Sequence, residues 1–247
     1  MLVLIGVLGA AIGSFLNVVI HRVPLEESIV SPGSRCPHCG HAVRSVDNIP
    51  VLSWLILRGR CRDCSSPISV RYPAVELLTA ICFVAIAVID GIDLDLLLEL
   101  PFVAMLIAVA FIDLDHRIIP NRIVYPIIVY ALAMTAIVAP DQLVEGLIAG
   151  AGAFLFLFVM AVAYPSGMGM GDVKLAGAMG LFLGLSVLPA MLAAFLFGSL
   201  VGVGLLIRHG SEARKRQVPF GPFLALGSLV GLLAGPALIE LYASRFL

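Results

Sequence analysis

Long apolar runs follow one another along almost the whole chain, separated by short polar segments. Runs of about 17 to 25 apolar residues can cross a bilayer as helices, and they recur at residues 1–20, 73–90, 96–112, 123–139, 143–163, 173–187, 188–207 and 220–243. With 61% hydrophobic residues, 13% charged residues and a mean hydropathy of +1.10, the chain has too much apolar surface for a soluble globule. It is predicted to be an all-α polytopic membrane protein with about eight transmembrane helices.

The number of helices depends on one weak division at residues 186–189, where seven spans are the alternative to eight. Lysine and arginine favour the cytoplasmic side of a helical membrane protein. With eight spans and a periplasmic N-terminus, every lysine and arginine except Arg245 falls in a cytoplasmic segment, whereas seven spans would break this pattern. We therefore expect a multi-pass protein of the cytoplasmic membrane, surrounded by lipid. Its charges are clustered between the spans, and they do not indicate a nucleic-acid partner.

The one sizeable polar segment, residues 21–72, contains two Cys-x-x-Cys pairs. They are Cys36 with Cys39 and Cys61 with Cys64. Each pair can hold a metal ion from a tight turn, and two pairs complete a tetrahedral four-sulfur site of the structural zinc type. Two disulfides are the alternative, although a cytoplasmic location disfavours them. The segment is too small to fold around an apolar core of its own, so we expect a zinc ion to take the place of that core.

Two aspartates lie where an apolar run meets polar sequence, which is a costly position for a charge. Asp172 stands between the glycine-rich stretch 167–171 and the run that starts at Val173, and Asp113 follows the run 102–112. Two carboxyl groups brought together by helix packing can share one proton and act as acid and base. The predicted orientation puts both acids on the cytoplasmic side, so we predict that they form a catalytic pair.

The segment after Asp113 is expected to leave the helix at once. Proline cannot continue a helix, so Pro120 favours interpreting the segment as a short re-entry turn whose acids stay near the membrane surface. Asp115 lies two residues beyond Asp113 and would point to a different face of any helix there. It is therefore left out of the pair.

Two other functions are compatible with these features. A transporter could use the two acids as a proton or cation relay, although relay acids usually lie near the middle of the membrane. A scaffold could use the zinc-bearing loop to recruit partners, and it would not need the acids at all.

Several stretches, taken in one order, resemble a known family. They are Gly13-Ser-Phe-Leu-Asn17-Val-Val-Ile-His-Arg22-Val-Pro24, Asn48-Ile-Pro50, Arg58-Gly-Arg-Cys61, Arg71-Tyr-Pro73, Glu76, Asp113-x6-Pro120-Asn121 and Gly169-x-Gly171-Asp172-x-Lys174, together with the cysteine spacing. In this combination the chain resembles the bacterial type IV prepilin peptidases, which are intramembrane aspartic proteases and also N-methyltransferases.

The resemblance implies that Asp113 and Asp172 are the catalytic pair, with Gly169, Gly171 and Lys174 positioning the substrate or the backbone. It implies that the protein lies in the bacterial inner membrane and cleaves the basic leader from prepilins or pseudopilins after a glycine. It also implies that the new N-terminus is then methylated, with S-adenosylmethionine as the methyl donor.

The resemblance suggests Asn17, Arg71 and Glu76 as candidates for the methyl-transfer site. For Glu76, a structural acid at the start of a helix is an equal alternative. We accordingly expect a first transmembrane helix at residues 1–20, a cytoplasmic zinc-binding loop domain associated with methyl transfer at 21–72, and a transmembrane aspartic peptidase domain at 73–247.

Overall fold

The structure, a computed structural model, describes residues 1–165, 167–210 and 218–246. These residues form nine α-helices and contain no β-sheet. The helices are α1 (Leu2–Arg22), α2 (Leu52–Ile56), α3 (Arg71–Ile89), α4 (Leu96–His116), α5 (Asn121–Val138), α6 (Leu143–Ala163), α7 (Met170–Leu183), α8 (Val187–His209) and α9 (Gly221–Phe246). The prediction of an all-α protein is confirmed.

The chain divides into two compact units, Met1–Leu96 and Leu97–Leu247. In the first unit, α1 and α3 pack side by side through small residues. A Cβ atom on Gly9 would lie 2.7 Å from the Cα atom of Ala80, and one on Gly13 would lie 2.6 Å from the Cα atom of Glu76. Glycines four residues apart let two helix backbones approach closely. The close contact holds Glu76 against α1.

The second unit has its core among α4, α6, α7, α8 and α9. Phe102 and Val109 of α4 are fully buried there, as is Met179 of α7. Between α6 and α7 the backbones touch, because a Cβ atom on Gly180 would lie 2.5 Å from the Cα atom of Gly150. This tight packing fixes the position of α7, the helix that carries Asp172.

Among the described residues, seven helical segments are long and apolar enough to cross a membrane. The longest, Met170–His209, reverses direction at residues 184–186, where Gly184 has a φ of 53°. A Cβ atom on Gly235 would touch Ser186, whereas one on Gly198 would touch Phe220 at 3.4 Å. Helix α8 therefore runs antiparallel to α9. The division predicted near residues 186–189 is therefore present, between α7 with 14 residues and α8 with 23 residues.

Helix α4 runs to His116, a few residues past the predicted end at 112, and the chain turns at residues 117–120 before α5. The helix ends at Arg117, which has a φ of 56° and donates its backbone N–H to the Asp113 carbonyl oxygen at 2.9 Å. A residue in this left-handed conformation commonly closes a helix. Pro120 lies beyond that stop and precedes the first residue of α5. Asp113 is consequently held on a rigid helix instead of a turn.

Candidate active site and metal centre

The four predicted cysteine ligands lie on two turns of the same design. In the first turn Gly40 donates its N–H to the Cys36 carbonyl oxygen, and in the second Ser65 donates to the Cys61 carbonyl oxygen, each at 2.9 Å. An isolated bridge follows each turn, from Arg35 to Ala42 and from Arg60 to Pro67. The two turns thus repeat each other, and each presents two thiols toward the other turn.

The thiols are arranged as ligands of one metal ion. The sulfur atoms of Cys36, Cys39, Cys61 and Cys64 all lie within 4.8 Å of one another. The Sγ atoms of Cys36 and Cys64 are 3.8 Å apart, which matches the separation of about 3.8 Å that Zn–S bonds of about 2.3 Å give in a tetrahedron. All five cysteines of the chain are free. The alternative of two disulfides is therefore wrong.

Hydrogen bonds prepare two of these thiols to bind a cation. The backbone amides of Cys39 and His38, with the Ser66 hydroxyl, lower the pKa of Cys36 to about 6. The Ser66 side chain and amide also lower the pKa of Cys64. Since the thiolate is the form that binds metal, both sulfurs are suited to be ligands near neutral pH.

Cys39 differs from those two thiols. The His41 amide lowers the pKa of Cys39, but burial and the three neighbouring thiols outweigh it and raise the pKa to about 12. A thiol of this kind loses its proton when a cation compensates the added charge. The donor set therefore fits a dication bound by four sulfurs.

Salt bridges tie the two turns together at their surface. Arg62 donates two hydrogen bonds from Nε and one from its terminal nitrogen to the Asp47 carboxylate, and Arg44 contacts Asp63 at 2.8 Å. Each pair joins a residue near one cysteine pair to a residue near the other. Both pairs therefore hold the turns in register around the thiols.

Asp113 and Asp172 are both buried, with relative exposures of 5% and 9%. Asp113 lies in the last turn of α4, where its Oδ2 atom accepts the backbone N–H of Gly221 at 2.8 Å. Asp172 lies in the first turn of α7, where its Oδ2 atom accepts the backbone N–H of Gly169 at 3.2 Å. Each buried carboxyl group thus has one backbone donor, which offsets part of the cost of burial.

The two acids lie at the same end of the second unit, because the start of α7 contacts Ile119, which follows α4. The N-termini of α7 and α9 meet the C-terminus of α4 at this place. Carboxyl groups that come close together cannot both ionise cheaply, so they favour a state in which one proton is shared. A pair that shares one proton would be suited to acid–base chemistry.

The two predicted positioning glycines have different surroundings. A Cβ atom on Gly171 would lie only 2.8 Å from the Cβ atom of Ile119, which follows α4. A Cβ atom on Gly169 would meet the Asp172 carboxyl group at 3.3 Å. Gly171 thus lets the start of α7 approach the loop after α4, and so brings Asp172 toward Asp113.

Lys174 contacts the start of α5. Its Nζ atom donates to Asn121 Oδ1 at 2.9 Å and lies 5.4 Å from the centre of the Tyr125 ring. It links α7 to α5, one turn away from the buried acids. Lys174 therefore contacts α5 and does not contact either acid in the hydrogen bonds of the described residues.

The Gly171→Ala variant is expected to lower peptide cleavage by about 10²-fold or more, because a shift of about 1 Å in a catalytic group has effects of that size. The added methyl group would displace Ile119 or the start of α7. Cleavage of a leader-bearing substrate by purified protein measures the effect. The control is Gly152→Ala, since a Cβ atom on that glycine of α6 would have no neighbour within 4 Å. Equal activity of both variants would contradict this role of Gly171.

The sequence analysis missed Gly221, which supplies the backbone donor to Asp113. A Cβ atom on this residue would lie 2.8 Å from Asp113 Oδ2, so the contact requires glycine. The neighbouring Phe220 packs against Phe195 with ring centres 5.5 Å apart. The one indication in the sequence was the position of Gly221 between Phe220 and Pro222, at the start of an apolar run. This position does not reveal that its partner is Asp113, more than 100 residues away.

The first unit contains a cavity of about 610 Å³ between the cytoplasmic-side ends predicted for α1 and α3 and the cysteine-bearing segment. Asn17 and Glu76 both line it. Asn17 donates to the Tyr72 carbonyl oxygen at 3.1 Å, and Glu76 accepts the backbone N–H of Val51 at 2.7 Å. Arg71 is not among the described residues that line the cavity. Two of the three methyl-transfer candidates thus meet in one place.

These features define a helical membrane protein with a buried acid pair in one unit and a four-cysteine metal centre in the other. A family model described as the bacterial peptidase A24 N-terminal domain matches residues 7–89, and one described as the type IV leader peptidase family matches residues 100–207. The chain belongs to the type IV leader peptidase family. The predicted family is confirmed.

Curated relatives support the same conclusion over nearly the whole chain. A prepilin leader peptidase/N-methyltransferase from Aeromonas hydrophila is 36% identical and covers 96% of this chain and 91% of the relative. The protein of that name from Bacillus subtilis is 37% identical over 98% of each chain, and the one from Pseudomonas putida is 34% identical over 97% of this chain and 91% of the relative. No solved structure matches the chain. The predicted class of enzyme, a peptidase with N-methyltransferase activity, is confirmed at the level of the family.

Proposed function

We propose that this protein cleaves the basic leader from type IV prepilins or pseudopilins with Asp113 and Asp172 and then methylates the new N-terminus. The proposal of leader cleavage rests on the buried acid pair. The two carboxyl groups are on different helices at the same end of the second unit, and each has a backbone donor. The names of the relatives support both the substrate and the second activity.

In the cleavage step, the ionised acid takes a proton from a water molecule as the water oxygen attacks the scissile carbonyl carbon. The protonated acid then gives its proton to the amine that leaves when the C–N bond breaks. The two acids end with one proton between them, as at the start. No covalent bond to the protein is formed.

In the methylation step, the free N-terminal amine attacks the methyl carbon of S-adenosylmethionine. The new N–C bond forms as the S–C bond breaks, the sulfur keeps the electron pair, and the amine loses one proton. We place this reaction in the first unit, and we propose that the metal held by Cys36, Cys39, Cys61 and Cys64 is zinc with a structural role. Four sulfur ligands fill a tetrahedral zinc site, so the ion stabilises the loop and leaves no position for substrate.

The reversal at residues 184–186 supports a cytoplasmic orientation of the acid pair. With eight alternating helices and a periplasmic N-terminus, the acid pair and the cysteine-bearing segment both face the cytoplasm, together with all lysines and arginines except Arg245. A substrate would then place its apolar segment among the helices and its basic leader in the cytoplasm. Leader cleavage would occur at the inner face of the membrane.

The test is to incubate the purified full chain in lipid nanodiscs with a purified prepilin, with and without S-adenosylmethionine, and to measure the products by mass spectrometry. We expect loss of the leader in both reactions and one added methyl group on the mature product only with the methyl donor. An intact prepilin would contradict the peptidase function. A mature product that is never methylated would remove the second activity and leave the first.

A further inference from the structure

We propose that the cavity of about 610 Å³ in the first unit is the binding site for S-adenosylmethionine, with Trp54 facing the adenosine part and Glu76 facing the positive sulfonium. The inference rests on the proposed methyl-transfer function and gives it a location. The volume lies within the range of about 300–1,000 Å³ that is usual for sites of small molecules. The lining includes the aromatic side chains of Phe15, Trp54 and Tyr72 and charged groups of both signs.

Trp54 is held in a fixed orientation at this cavity. Its Nε1 atom donates to the Ile68 carbonyl oxygen at 3.1 Å. One side of the ring is covered by Gly59, a buried residue with a φ of 66°, where a Cβ atom would lie 2.8 Å from the ring. The ring is therefore anchored by its N–H and by Gly59 and still contributes to the cavity wall. A fixed indole of this kind is a stacking surface for a purine base.

Glu76 brings a buried negative charge to the same cavity. Its side chain belongs to a residue that is 8% exposed, and its Oε2 atom accepts the backbone N–H of Val51 at 2.7 Å. Val51 has φ and ψ of 61° and −50°, a conformation that a β-branched residue rarely adopts. Strained backbone of this kind concentrates at binding and catalytic sites. Here it directs an amide at the acid that would face the ligand.

The other charges of the cavity suit a ligand that carries both signs. The Arg22 guanidinium donates to the carbonyl oxygens of Ser28 and Gly33, at 2.9 and 3.4 Å, and these bonds leave its charge in place. Arg22 and Glu76 both line the cavity. S-adenosylmethionine has a carboxylate that Arg22 can bind. It also has a positive sulfonium and a positive ammonium group that Glu76 can bind. The adenosine ring and the charged methionine part are thus both accommodated.

Trp54 is the single tryptophan of the chain, so its fluorescence reports directly on this cavity. The full chain in lipid nanodiscs is titrated with S-adenosylmethionine and, separately, with S-adenosylhomocysteine, which lacks the sulfonium charge. Fluorescence and isothermal calorimetry are recorded together. We expect a saturable change of Trp54 emission with both ligands, at the same concentrations at which heat is released.

The Glu76→Gln variant separates a charge role from a structural one. The amide oxygen can still accept the Val51 N–H, so the fold is retained while the charge is lost. We expect about ten-fold weaker binding of S-adenosylmethionine and a clearly smaller effect on S-adenosylhomocysteine. The control is Glu27→Gln, which makes the same charge change at an exposed residue outside the cavity and should leave both affinities unchanged.

Three results would overturn the site. The first is binding of S-adenosylmethionine by calorimetry without any change of Trp54 emission. The second is binding of S-adenosylmethionine by the Glu76→Gln variant with unchanged affinity. The third is an equal loss of affinity for both ligands in that variant. In each case methylated product in the prepilin assay would show that the methyl-transfer function stands and that its site lies elsewhere. Absence of both binding and methylation would contradict the function together with the site.

Discussion

The Asp113→Asn and Asp172→Asn variants are each expected to cleave a prepilin at least about 10³-fold more slowly than the wild-type protein. Asparagine has nearly the size of aspartate, but its amide can neither take a proton from water nor return one to the leaving amine. Either substitution therefore removes one half of the shared-proton pair. The measurement is a time course of leader release by purified protein in nanodiscs.

Asp115→Asn is the matched control for this prediction, because it lies in the same final turn of α4 and is exposed where Asp113 is buried. Its cleavage rate should stay close to that of the wild-type protein. Methylation of a substrate that already lacks its leader should survive in all three variants. Full cleavage by the Asp113→Asn or Asp172→Asn variant would mean that the attacking water is activated by other groups.

Removal of the metal is expected to abolish methyl transfer. In the Cys36→Ser/Cys61→Ser variant each turn loses one sulfur, so the bound zinc should fall from one ion per chain to none. Structural zinc contributes about 10 kcal/mol or more to the folding of small domains of this kind. The cysteine-bearing segment should therefore unfold and become sensitive to protease. Leader cleavage should decline less than methylation, since the acid pair belongs to the other unit.

Cys82→Ala provides the control for the metal experiment. Cys82 lies on α3 and is not part of the four-thiol cluster, so this variant should keep one zinc ion and both activities. Elemental analysis and mass spectrometry of the methylated product provide the two measurements. Normal methylation by a chain without metal would contradict the structural role of the ion.

Much of the fold could be predicted because a membrane places strong limits on sequence. A span needs a long apolar run, and all backbone polar groups must be paired within helices. The runs therefore gave helix positions to within a few residues, even for α6 at Leu143–Ala163. The cysteine cluster could also be predicted, since spacing and residue type define a four-sulfur site. Both predictions depend only on residue type and spacing within a segment of the sequence.

Features that depend on contacts between distant residues could not be predicted in this way. The Asp113 carboxyl group accepts a hydrogen bond from Gly221, which lies on another helix more than 100 residues away. At the reversal, the Glu145 carboxylate of α6 accepts the backbone N–H of Leu185 at 2.8 Å, a contact between residues 40 positions apart. The cavity that contains Asn17 and Glu76 forms only when residues near Trp54 fold over the start of α3. None of these contacts leaves a periodic pattern in the sequence.

The central claim is that Asp113 and Asp172 converge, and cross-linking tests it most directly. In a Cys82→Ala background, the Asp113→Cys/Asp172→Cys variant is treated with the shortest bis-thiosulfonate reagent, and the linked peptides are identified by mass spectrometry. The Asn121→Cys/Lys174→Cys variant is the reference, because those side chains are 2.9 Å apart and join α5 to α7 at the same end. We expect both pairs to be linked at similar rates. Linkage of the reference pair alone, with positions 113 and 172 unlinked, would contradict the proposed active site.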